Sequence, residues 1–550
     1  MIADIHITEK SFGPKILMTG VKFSVDDGEK VGLIGRNGVG KSTLFGILAG
    51  VDADYTGEVI FRRGSVVVAT AQEHHDLGEQ TVLDYVLGGL PEYGDLKKII
   101  DEYPLTMGDN MRLIAKYTDA LARFEQKGFY QIEQKIEREL EQFQLAGFAS
   151  RPMRTLSGGQ KRLIEIVKIM HAQAHLALID EPTNHMDYAA KQQFIDWMRG
   201  SETGQMAMLI ITHDRDVLAR VDRIIEIKDG QAVSYRGNYD DYLRQNTNVT
   251  NTRMHEYEIT QAQIENLKKR VQFARSKKAS WGGTADKRNP FVVMEAKALK
   301  EIKELQKIEK PSFWIDKESA SQLDYKAADR YDKYKARNIK LHVKTNEKAS
   351  TRCLVRVEDL ALGYGEKILF EGVNFSMNEG DRVELHGRNG AGKTTIIKAL
   401  LGQSSAEIYS GEAWLNPNIR VGIYEQEIAE TYLDLPLNQA IEQLYLSRDL
   451  PISETKIRQL LADYLFTDSD TTAPIRQLSG GQKARFQLIA MLAGDPQLLI
   501  LDEPTNHLDL PSIEELETAL AKYSGAILYI SHDNYFRRKI GGCVVQISRS

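Results

Sequence analysis

The chain has 550 residues, which is too many for one hydrophobic core and predicts about three to four domains. Hydrophobic residues make up 42% and charged residues 27%, as in ordinary globular proteins, which argues against global disorder. Because 71 Lys and Arg stand against 77 Asp and Glu, the formal net charge is −6, and any contact with a polyanion must come from a local basic patch.

The cysteines and the apolar runs exclude further classes of protein. Cys353 and Cys543 are the only cysteines, which rules out a disulfide framework, a zinc knuckle and a cysteine-ligated iron–sulfur cluster. The amino terminus has no signal-peptide pattern, and the longest apolar runs are strand-length, whereas a membrane span needs about 20 apolar residues. We therefore expect a cytoplasmic protein that forms no pore or permease by itself.

A glycine-rich loop, residues 35–42, follows a strand-like run and precedes a helical pattern. Its spacing, Gly-x-x-x-x-Gly-Lys-Ser, is typical of loops whose backbone N–H groups wrap phosphates at the start of a helix. Lys41 would supply charge to the β- and γ-phosphates, and the Ser42 hydroxyl could bind Mg²⁺. The candidate nucleotide-binding residues here are Asn37, Gly38, Gly40, Lys41, Ser42 and Thr43.

Polar residues that follow apolar runs complete a first candidate site. Asp180 ends the run 176–179 and is a candidate Mg²⁺ ligand, while Glu181 could orient or deprotonate an attacking water. His213, after the run 209–212, could sense a γ-phosphate. Gln72 follows the run 66–68, and Phe12 could stack on adenine. A helix start with exposed N–H groups, suited to an anion, is predicted at Ser157, Gly158, Gly159 and Gln160.

The segment 245–350 is locally basic. Between Lys268 and Lys303 it has 11 Lys and Arg but only three acidic residues. Two apolar series with an a/d-like rhythm, 264–274 and 294–305, are separated by a stretch that contains glycines and a proline. This pattern predicts two long antiparallel helices with a tip at about 279–290.

The second half of the chain repeats the motifs in the same order, which indicates a duplicated domain. Tyr364 corresponds to Phe12 and Gln426 to Gln72, while Asp502, Glu503 and His532 repeat the acidic pair and the histidine. The second phosphate loop contributes Asn389, Gly390, Gly392, Lys393, Thr394 and Thr395. The second helix start contributes Ser479, Gly480, Gly481 and Gln482.

The spacing of the motifs differs between the copies at one place. Ser157 precedes Asp180 by 23 residues, and the second copy has the same spacing. Lys41 precedes Ser157 by 116 residues, whereas the corresponding distance in the second copy is 86. The surplus of 30 residues falls within about 91–148, where apolar residues at helical spacing predict an inserted helical arm.

Each motif taken alone has a structural explanation. A glycine loop can be a chance turn, and an acidic pair or Leu-Ser-Gly-Gly-Gln can be an ordinary helix cap. A single histidine can be a hydrogen-bonded core residue, and an aromatic residue near a turn can belong to the core. The recurrence of these elements in one order favours the functional interpretation.

Both repeats resemble ATP-binding cassette proteins in the A-loop aromatic, Walker A, Q-loop, signature, Walker B, D-loop and switch histidine. The resemblance implies an α/β fold with two P-loop cassettes in tandem, 1–244 and 351–550. It implies a helical arm at about 91–148 in the first cassette and a basic α-helical hairpin linker, 245–350. It assigns Gln72 and Gln426 to Mg²⁺ and catalysis.

The family architecture also implies a monomer whose cassettes form a head-to-tail sandwich around two ATP molecules with Mg²⁺. Each ATP would lie between the phosphate loop of one cassette and the signature of the other. Because both sets of motifs are complete, we expect both sites to hydrolyse ATP.

The D-loop Glu503 to Asp509 is similar to that of the soluble F subfamily, although Met186 replaces the usual Leu in the first copy. The arm and the linker resemble those of the same subfamily. This resemblance implies a factor that binds the tRNA exit site of the ribosome with ATP bound. Its linker tip would approach P-site tRNA and the peptidyl-transferase centre, and hydrolysis would release the factor.

The basic linker supports a nucleic-acid partner, although charge runs on helices are usually solvated faces with i,i+4 pairs. Cations can neutralise phosphates, and aromatic rings can stack on exposed bases. The candidate residues for contacts with rRNA and tRNA are Lys269, Arg270, Arg275, Lys277, Lys278, Trp281, Lys287 and Arg288.

Several functions are compatible with these motifs. The bulky basic tip and the run 314–318 resemble the linkers of ribosome-protection members, which favours antibiotic resistance. The alternatives are a housekeeping translation-regulating ATPase and an importer ATPase with fused cassettes that needs a permease. A DNA-repair or chromosome ATPase is disfavoured, because the chain lacks a zinc module and a very long coiled coil.

Overall fold

The computed structural model describes residues 1–12, 15–70, 79–156, 158–172, 174–184, 186–200, 203–280, 290–305, 338–343, 352–365, 367–425 and 428–548. These residues fall into a cassette unit, Met1–Tyr239 with Ile339–Ser550, and a linker unit, Asp240–Asn338. The boundary predicted at 244 falls inside one continuous helix, and the boundary predicted at 350 lies outside the described residues.

A mostly parallel sheet forms the centre of each copy in the cassette unit. In spatial order, the first sheet contains β5 (Val67–Ala69), β6 (Leu176–Asp180), β7 (Ala207–Ile211), β3 (Lys30–Gly35), β8 (Arg223–Lys228) and β9 (Gln231–Arg236), with β9 antiparallel to β8. The second, all parallel, contains β14 (Val421–Tyr424), β15 (Leu498–Asp502), β16 (Ala526–Ile530), β12 (Arg382–His386) and β17 (Cys543–Gln546).

The burial of these strands explains their sequences. Every residue of β6, β7, β15 and β16 is buried, as expected for continuous apolar runs that are covered on both faces of a sheet. Parallel strands end at the same edge of a sheet. The residues that follow β3, β6 and β7 therefore come together, and so do those that follow β12, β15 and β16.

A small antiparallel sheet accompanies each central sheet. The first contains β2 (Lys15–Val25), β1 (Ala3–Phe12) and β4 (Thr56–Phe61) in that spatial order. The second contains β11 (Lys367–Asn378), β10 (Cys353–Tyr364) and β13 (Glu407–Leu415). The aromatic candidates Phe12 and Tyr364 end equivalent strands of the two copies.

The first copy contains eight α-helices in the part of the chain that the structure describes. They are α1 (Lys41–Leu48), α2 (Val82–Gly88), α3 (Tyr93–Thr106), α4 (Met111–Gln126), α5 (Ile132–Gln142), α6 (Gly158–His171), α7 (Tyr188–Arg199) and α8 (Arg215–Leu218). The apolar residues predicted to share a helix face in the arm, Ile132, Ile136 and Leu140, are all buried on α5.

The linker unit contains α9 (Tyr239–Ser280), apart from its first residue, and α10 (Pro290–Leu305). Ile264, Leu267 and Val271 on α9 pack with Ala298 and Ile302 on α10. Phe273 and Arg275, near the end of α9, contact Phe291 (ring centroids 6.4 Å apart) and Glu295 (2.7 Å) near the start of α10, so the end of one helix meets the start of the other, as in an antiparallel pair. The structure thus confirms the predicted helical hairpin, while most of its tip lies outside the described residues.

In the part of the chain that the structure describes, five α-helices precede the signature in each copy, but two of those in the second copy are only four residues long. Its helices are α11 (Lys393–Leu400), α12 (Glu430–Leu433), α13 (Leu437–Leu446), α14 (Glu454–Asp463), α15 (Asp468–Thr471), α16 (Gly480–Leu492), α17 (Leu510–Lys522) and α18 (Asn534–Ile540). α13 packs against α14 and α16, as α2 packs against α5 and α6. The pair α3 and α4, 14 and 16 residues long, therefore accounts for the surplus of the first copy.

Among the described residues, no helix combines the length and the apolar character that a membrane crossing would require. The strand-length apolar runs of the sequence form buried strands of the two central sheets.

Candidate functional site

The two phosphate loops have the same backbone conformation. Gly38 and Gly40 have φ angles of +81° and +101°, and Gly390 and Gly392 have +76° and +96°. Glycine adopts these left-handed angles without the steric cost that other residues pay. The helices that follow, α1 and α11, have no side-chain cap, so their first backbone N–H groups are available to an anion.

Each loop folds around its own lysine. The Lys41 ammonium donates to the carbonyl of Gly35 at 2.7 Å, and Lys393 donates to the carbonyl of Gly387 at 2.8 Å. Burial lowers the pKa of both lysines, and the charges of Glu181 and its counterpart in the second copy oppose this shift. Each site therefore has a buried ammonium group that faces carboxylates.

A hydroxyl and a carboxylate meet in each copy, where the central strands end. Ser42 donates to Asp180 over 3.3 Å, and Thr394 donates to Asp502 over 2.8 Å. Burial, with a smaller contribution from the neighbouring Glu503, raises the pKa of Asp502 to about 6. Hydroxyl and carboxylate oxygens are the hard ligands that Mg²⁺ prefers, so both pairs fit the predicted metal.

The two candidate catalytic glutamates have a strained backbone. Glu181 and Glu503 have φ angles of +47° and +51°, and their N–H groups donate to the carbonyls of Ile211 and Ile530. Such angles in non-glycine residues concentrate at functional sites. Burial raises the pKa of Glu181, with help from the adjacent Asp180, and burial raises the pKa of Glu503 to about 7. A carboxylate with a pKa near neutrality suits a general base.

A histidine stands beside each glutamate. His213 Nε2 lies 3.5 Å from Glu181 Oε1, and His532 Nε2 lies 3.3 Å from Glu503 Oε1. Burial, followed by the charge of Lys393, lowers the pKa of His532 to about 3, so its imidazole is neutral. The Nδ1 atoms of both histidines are buried and have no hydrogen-bond partner among the described residues. These atoms have the chemistry to meet a phosphate oxygen or a water.

The first site lies between the two copies. The Asn37 side chain donates to the carbonyl of His507 over 2.9 Å, and a Cβ atom on Gly481 would lie 2.1 Å from Asn37 Nδ2. A cavity of about 360 Å³ opens there. Its lining joins the first phosphate loop, acidic pair and histidine to the second signature: Lys41, Ser42, Thr43, Asp180, Glu181, His213, Ser479, Gly480 and Gly481.

A second cavity, of about 660 Å³, joins the complementary elements. Gly159 and Gln160 of the first signature line it together with Asn389 and Gly390 of the second phosphate loop. Glu503 and His532 also line this cavity. The structure thus brings described members of both predicted sets together between the two copies, although Lys393, Thr394 and Asp502 are not in the lining of the second cavity.

Two aspartates contribute contacts that the sequence reasoning missed. Asp187 caps α7 and accepts from the backbone N–H of Asn389 over 3.1 Å, and Asp509 caps α17 and accepts from that of Asn37 over 3.2 Å. An aspartate three residues before a helical backbone N–H signals a cap in sequence. Its second contact, with the phosphate loop of the other copy, carries no local signal.

The second signature also caps its own helix. Ser479 and Gln482 form a reciprocal capping box at the start of α16, and the Gln482 amide donates to Asp470 over 2.7 Å. The structural and functional interpretations of this motif therefore coexist. Phe12, which lines the first cavity, and Tyr364 are 56% and 48% exposed, and the Lys10 ammonium lies 4.7 Å from the centroid of the Phe12 ring.

Several predicted site residues lie outside the described residues. They are Gln72, Gln426, Ser157, Trp281, Lys287 and Arg288. Lys278 belongs to α9, but its side chain is also outside the description. Lys269, Arg270, Arg275 and Lys277 are exposed on α9, and Arg275 pairs with Glu295.

Comparisons with known proteins identify the family. A family profile described as ABC transporter matches residues 18–184 and 370–506, and a second with the same description matches 225–325. The protein YdiF of Bacillus subtilis is 30% identical over 560 residues, which covers 100% of this chain and 80% of YdiF. The ribosome protection protein VmlR of Bacillus subtilis is 27% identical over 534 residues, 96% of this chain and 84% of VmlR.

A plant relative is named as a member of the same family, and an archaeal structure shares the fold. The ABC transporter F family member 5 of Arabidopsis thaliana is 27% identical over 553 residues, 98% of this chain and 74% of that protein. The crystal structure of an archaeal ribosome recycling factor in complex with the stalk protein aP1 shares the fold, with a TM-score of 0.56 at 17% identity over 97% of this chain and 86% of that one. The chain therefore belongs to the ABC transporter family, as a member of its F subfamily, and its two cassettes make it an ATPase.

Proposed function

We propose that this ATPase is a translation factor that binds the ribosome at the tRNA exit site when its cassettes close on ATP. Hydrolysis then releases it. The observation that carries the proposal is the pairing of two composite nucleotide sites with an exposed row of cations on the linker unit. The relative VmlR, which is named a ribosome protection protein, covers almost the whole chain.

Hydrolysis in each site follows from the placement of its side chains. Lys41 or Lys393 and the first N–H groups of the following helix bind the phosphates. Glu181 or Glu503 takes a proton from the water that attacks the γ-phosphorus, and the bond to the β-phosphate oxygen breaks to give ADP and phosphate. The neutral histidine beside the glutamate orients the water or the γ-phosphate.

Mg²⁺ fits the hydroxyl–carboxylate pairs Ser42–Asp180 and Thr394–Asp502. A metal ion bound there would neutralise charge on the phosphate oxygens. The chain's own contribution is to hold each pair rigidly, because the aspartate ends a buried strand and the hydroxyl opens a helix.

The linker unit supplies the proposed contact with RNA. Lys269 and Arg270 are exposed on α9, whereas the apolar residues of α9 pack against α10. This division leaves the cations available to phosphates, and such contacts weaken steeply with salt. The proposed target is rRNA and P-site tRNA near the peptidyl-transferase centre, reached by the tip.

A charge reversal on α9 tests the RNA contact. Lys269→Glu combined with Arg270→Glu should weaken co-sedimentation with purified ribosomes, in the presence of a non-hydrolysable ATP analogue, by about tenfold. The salt dependence of binding should also become shallower. The variant should keep its ATPase activity without ribosomes, because both substitutions lie in the linker unit.

A matched control reverses two exposed cations on α14, Lys456→Glu with Arg458→Glu, and should bind ribosomes as the unmodified protein does. Equal weakening by both pairs would mean that net charge decides binding, and no weakening by the α9 pair would contradict the proposal. Recovery of the protein with membranes in place of ribosomes would favour the importer alternative.

Antibiotic resistance is a second and more specific proposal, which rests on the name of VmlR and on the bulky tip. Expression of the chain in a susceptible bacterium should raise the inhibitory concentration of drugs that bind the peptidyl-transferase centre or the exit tunnel. Unchanged inhibitory concentrations for all such drugs would favour the housekeeping alternative.

A further inference from the structure

A set of buried charges lies between the two copies beside the nucleotide sites, and one of its members, Lys191, also lines the second cavity. Lys191, Arg215 and Glu517 are 3%, 5% and 2% exposed, which is rare for charged residues unless they are paired. The first two belong to the first copy and the third to the second. None of them belongs to a motif of the family.

The Lys191 ammonium has two carboxylates and a backbone carbonyl as neighbours. Its ammonium lies 2.6 Å from Asp216 and 3.2 Å from Asp214, both in the first copy, and it donates to the backbone carbonyl of His532 in the second copy over 2.9 Å. Asn534 of the second copy donates to the same Asp216 over 2.8 Å. The charges of Asp214 and Asp216 outweigh burial and raise the pKa of Lys191 to about 12.

The bond to His532 reaches the catalytic groups of the second site. The backbone N–H of His532 donates to Glu503 Oε2 over 3.3 Å, and its ring lies 3.3 Å from Oε1 of the same glutamate. A shift of the His532 backbone would therefore move the histidine and disturb the glutamate together.

The first site is held differently. Arg215, two residues after His213, pairs with Glu517 of the second copy over 3.1 Å, and its guanidinium lies 5.3 Å from the ring centroid of Tyr535. The residue that corresponds to Lys191 in the second copy is Ile513, at the same distance from its capping aspartate. A side chain without a donor cannot bind the carbonyl of His213, so the two sites are not equivalent.

We propose that Lys191 is a positioning residue for ATP hydrolysis at the second site, which it supports from the opposite copy by holding the backbone of His532. Contact between the copies thus has two effects on this site: it brings the first signature to the nucleotide and it fixes the switch histidine. The second signature likewise lines the first cavity. Among the described residues, however, the first site has no contact equivalent to that of Lys191 with the His532 backbone.

Single-turnover hydrolysis of prebound ATP, measured separately at each site, tests the proposal. Glu181→Gln leaves the second site to be measured, and Glu503→Gln leaves the first. Lys191→Met should slow hydrolysis at the second site by about tenfold, since small displacements of catalytic groups are costly, and should change the first site by less than about twofold. The dissociation constant of ATP should change little at either site, and Lys191→Arg should recover part of the lost rate.

Lys191→Met leaves Asp214 and Asp216 without their buried partner, so a loss of folding must be distinguished from a loss of catalysis. The rate at the first site, measured in the same variant, serves as the internal control for folding. Equal slowing at both sites would mean that the lysine only holds the interface together and would overturn the proposal. An unchanged rate at the second site, or a loss of ATP affinity without a change in rate, would also overturn it.

Discussion

Replacing both glutamates, Glu181→Gln with Glu503→Gln, should convert the protein into a form that binds ATP, does not turn it over and stays on ribosomes. Glutamine keeps the size of the side chain but cannot accept the proton of the attacking water. We expect steady-state hydrolysis to fall by about 10²–10⁴-fold, the usual contribution of a general base. The measurements are phosphate release, retention of labelled ATP on a desalting column and sedimentation through a sucrose gradient with ribosomes.

The single variants are the matched controls, because each leaves one complete site and should retain part of the hydrolysis. The prediction concerns hydrolysis and ribosome binding, and each of the two can be contradicted without the other. Normal hydrolysis by the double variant would remove the glutamates from catalysis. Retained ATP with the protein still at the top of the gradient would contradict the ribosome proposal and leave the ATPase chemistry intact.

Gly481→Ala should strongly impair the first site, although it adds one methyl group. That carbon would lie 2.1 Å from Nδ2 of Asn37, which bonds the carbonyl of His507. The asparagine must leave its position, and the contact between the first phosphate loop and the second signature loosens. We expect hydrolysis at the first site to fall by about tenfold or more, measured in the Glu503→Gln background.

Gly480→Ala is the matched control, because a Cβ atom there would have no neighbour closer than 3.7 Å, an ordinary contact. It should impair the first site much less than Gly481→Ala. Asn37→Ala together with Gly481→Ala removes the side chain that the methyl group meets and should recover part of the lost hydrolysis. Equal losses from the two glycine variants would mean that the asparagine contact is not the cause.

Much of the fold could be predicted because its signals are local. Continuous apolar runs predict parallel strands, and β6, β7, β15 and β16 are buried at every residue. The a/d-like rhythm of the linker predicts a helical hairpin, and Ile264, Leu267 and Val271 pack against α10 as that rhythm requires. The surplus of the first copy corresponds to two helices, α3 and α4.

The sequence predicted which residues belong to the candidate sites, but not their backbone conformation or their contacts with the other copy. Glycine spacing and strand ends identify Lys41, Asp180 and Glu181 as groups that share one edge of a sheet. The left-handed backbone of Glu181 does not follow from its sequence, because a glutamate ordinarily avoids such angles and surrounding contacts must impose them. The second role of Asp187, as an acceptor for the loop of the other copy, is equally invisible along the chain.

By itself, the order of residues determined the duplication, the two sets of phosphate-binding and acidic groups, the helical arm and the basic hairpin, because periodicity and spacing act between neighbours in the chain. The tertiary structure alone decided that Asn37 meets Gly481 and that Lys191, besides its two aspartates in the first copy, binds the backbone carbonyl of His532 in the second. The physical reason is that a buried charge is stable only where opposite groups or carbonyls from distant segments converge on it, and that convergence exists only after the copies have packed together.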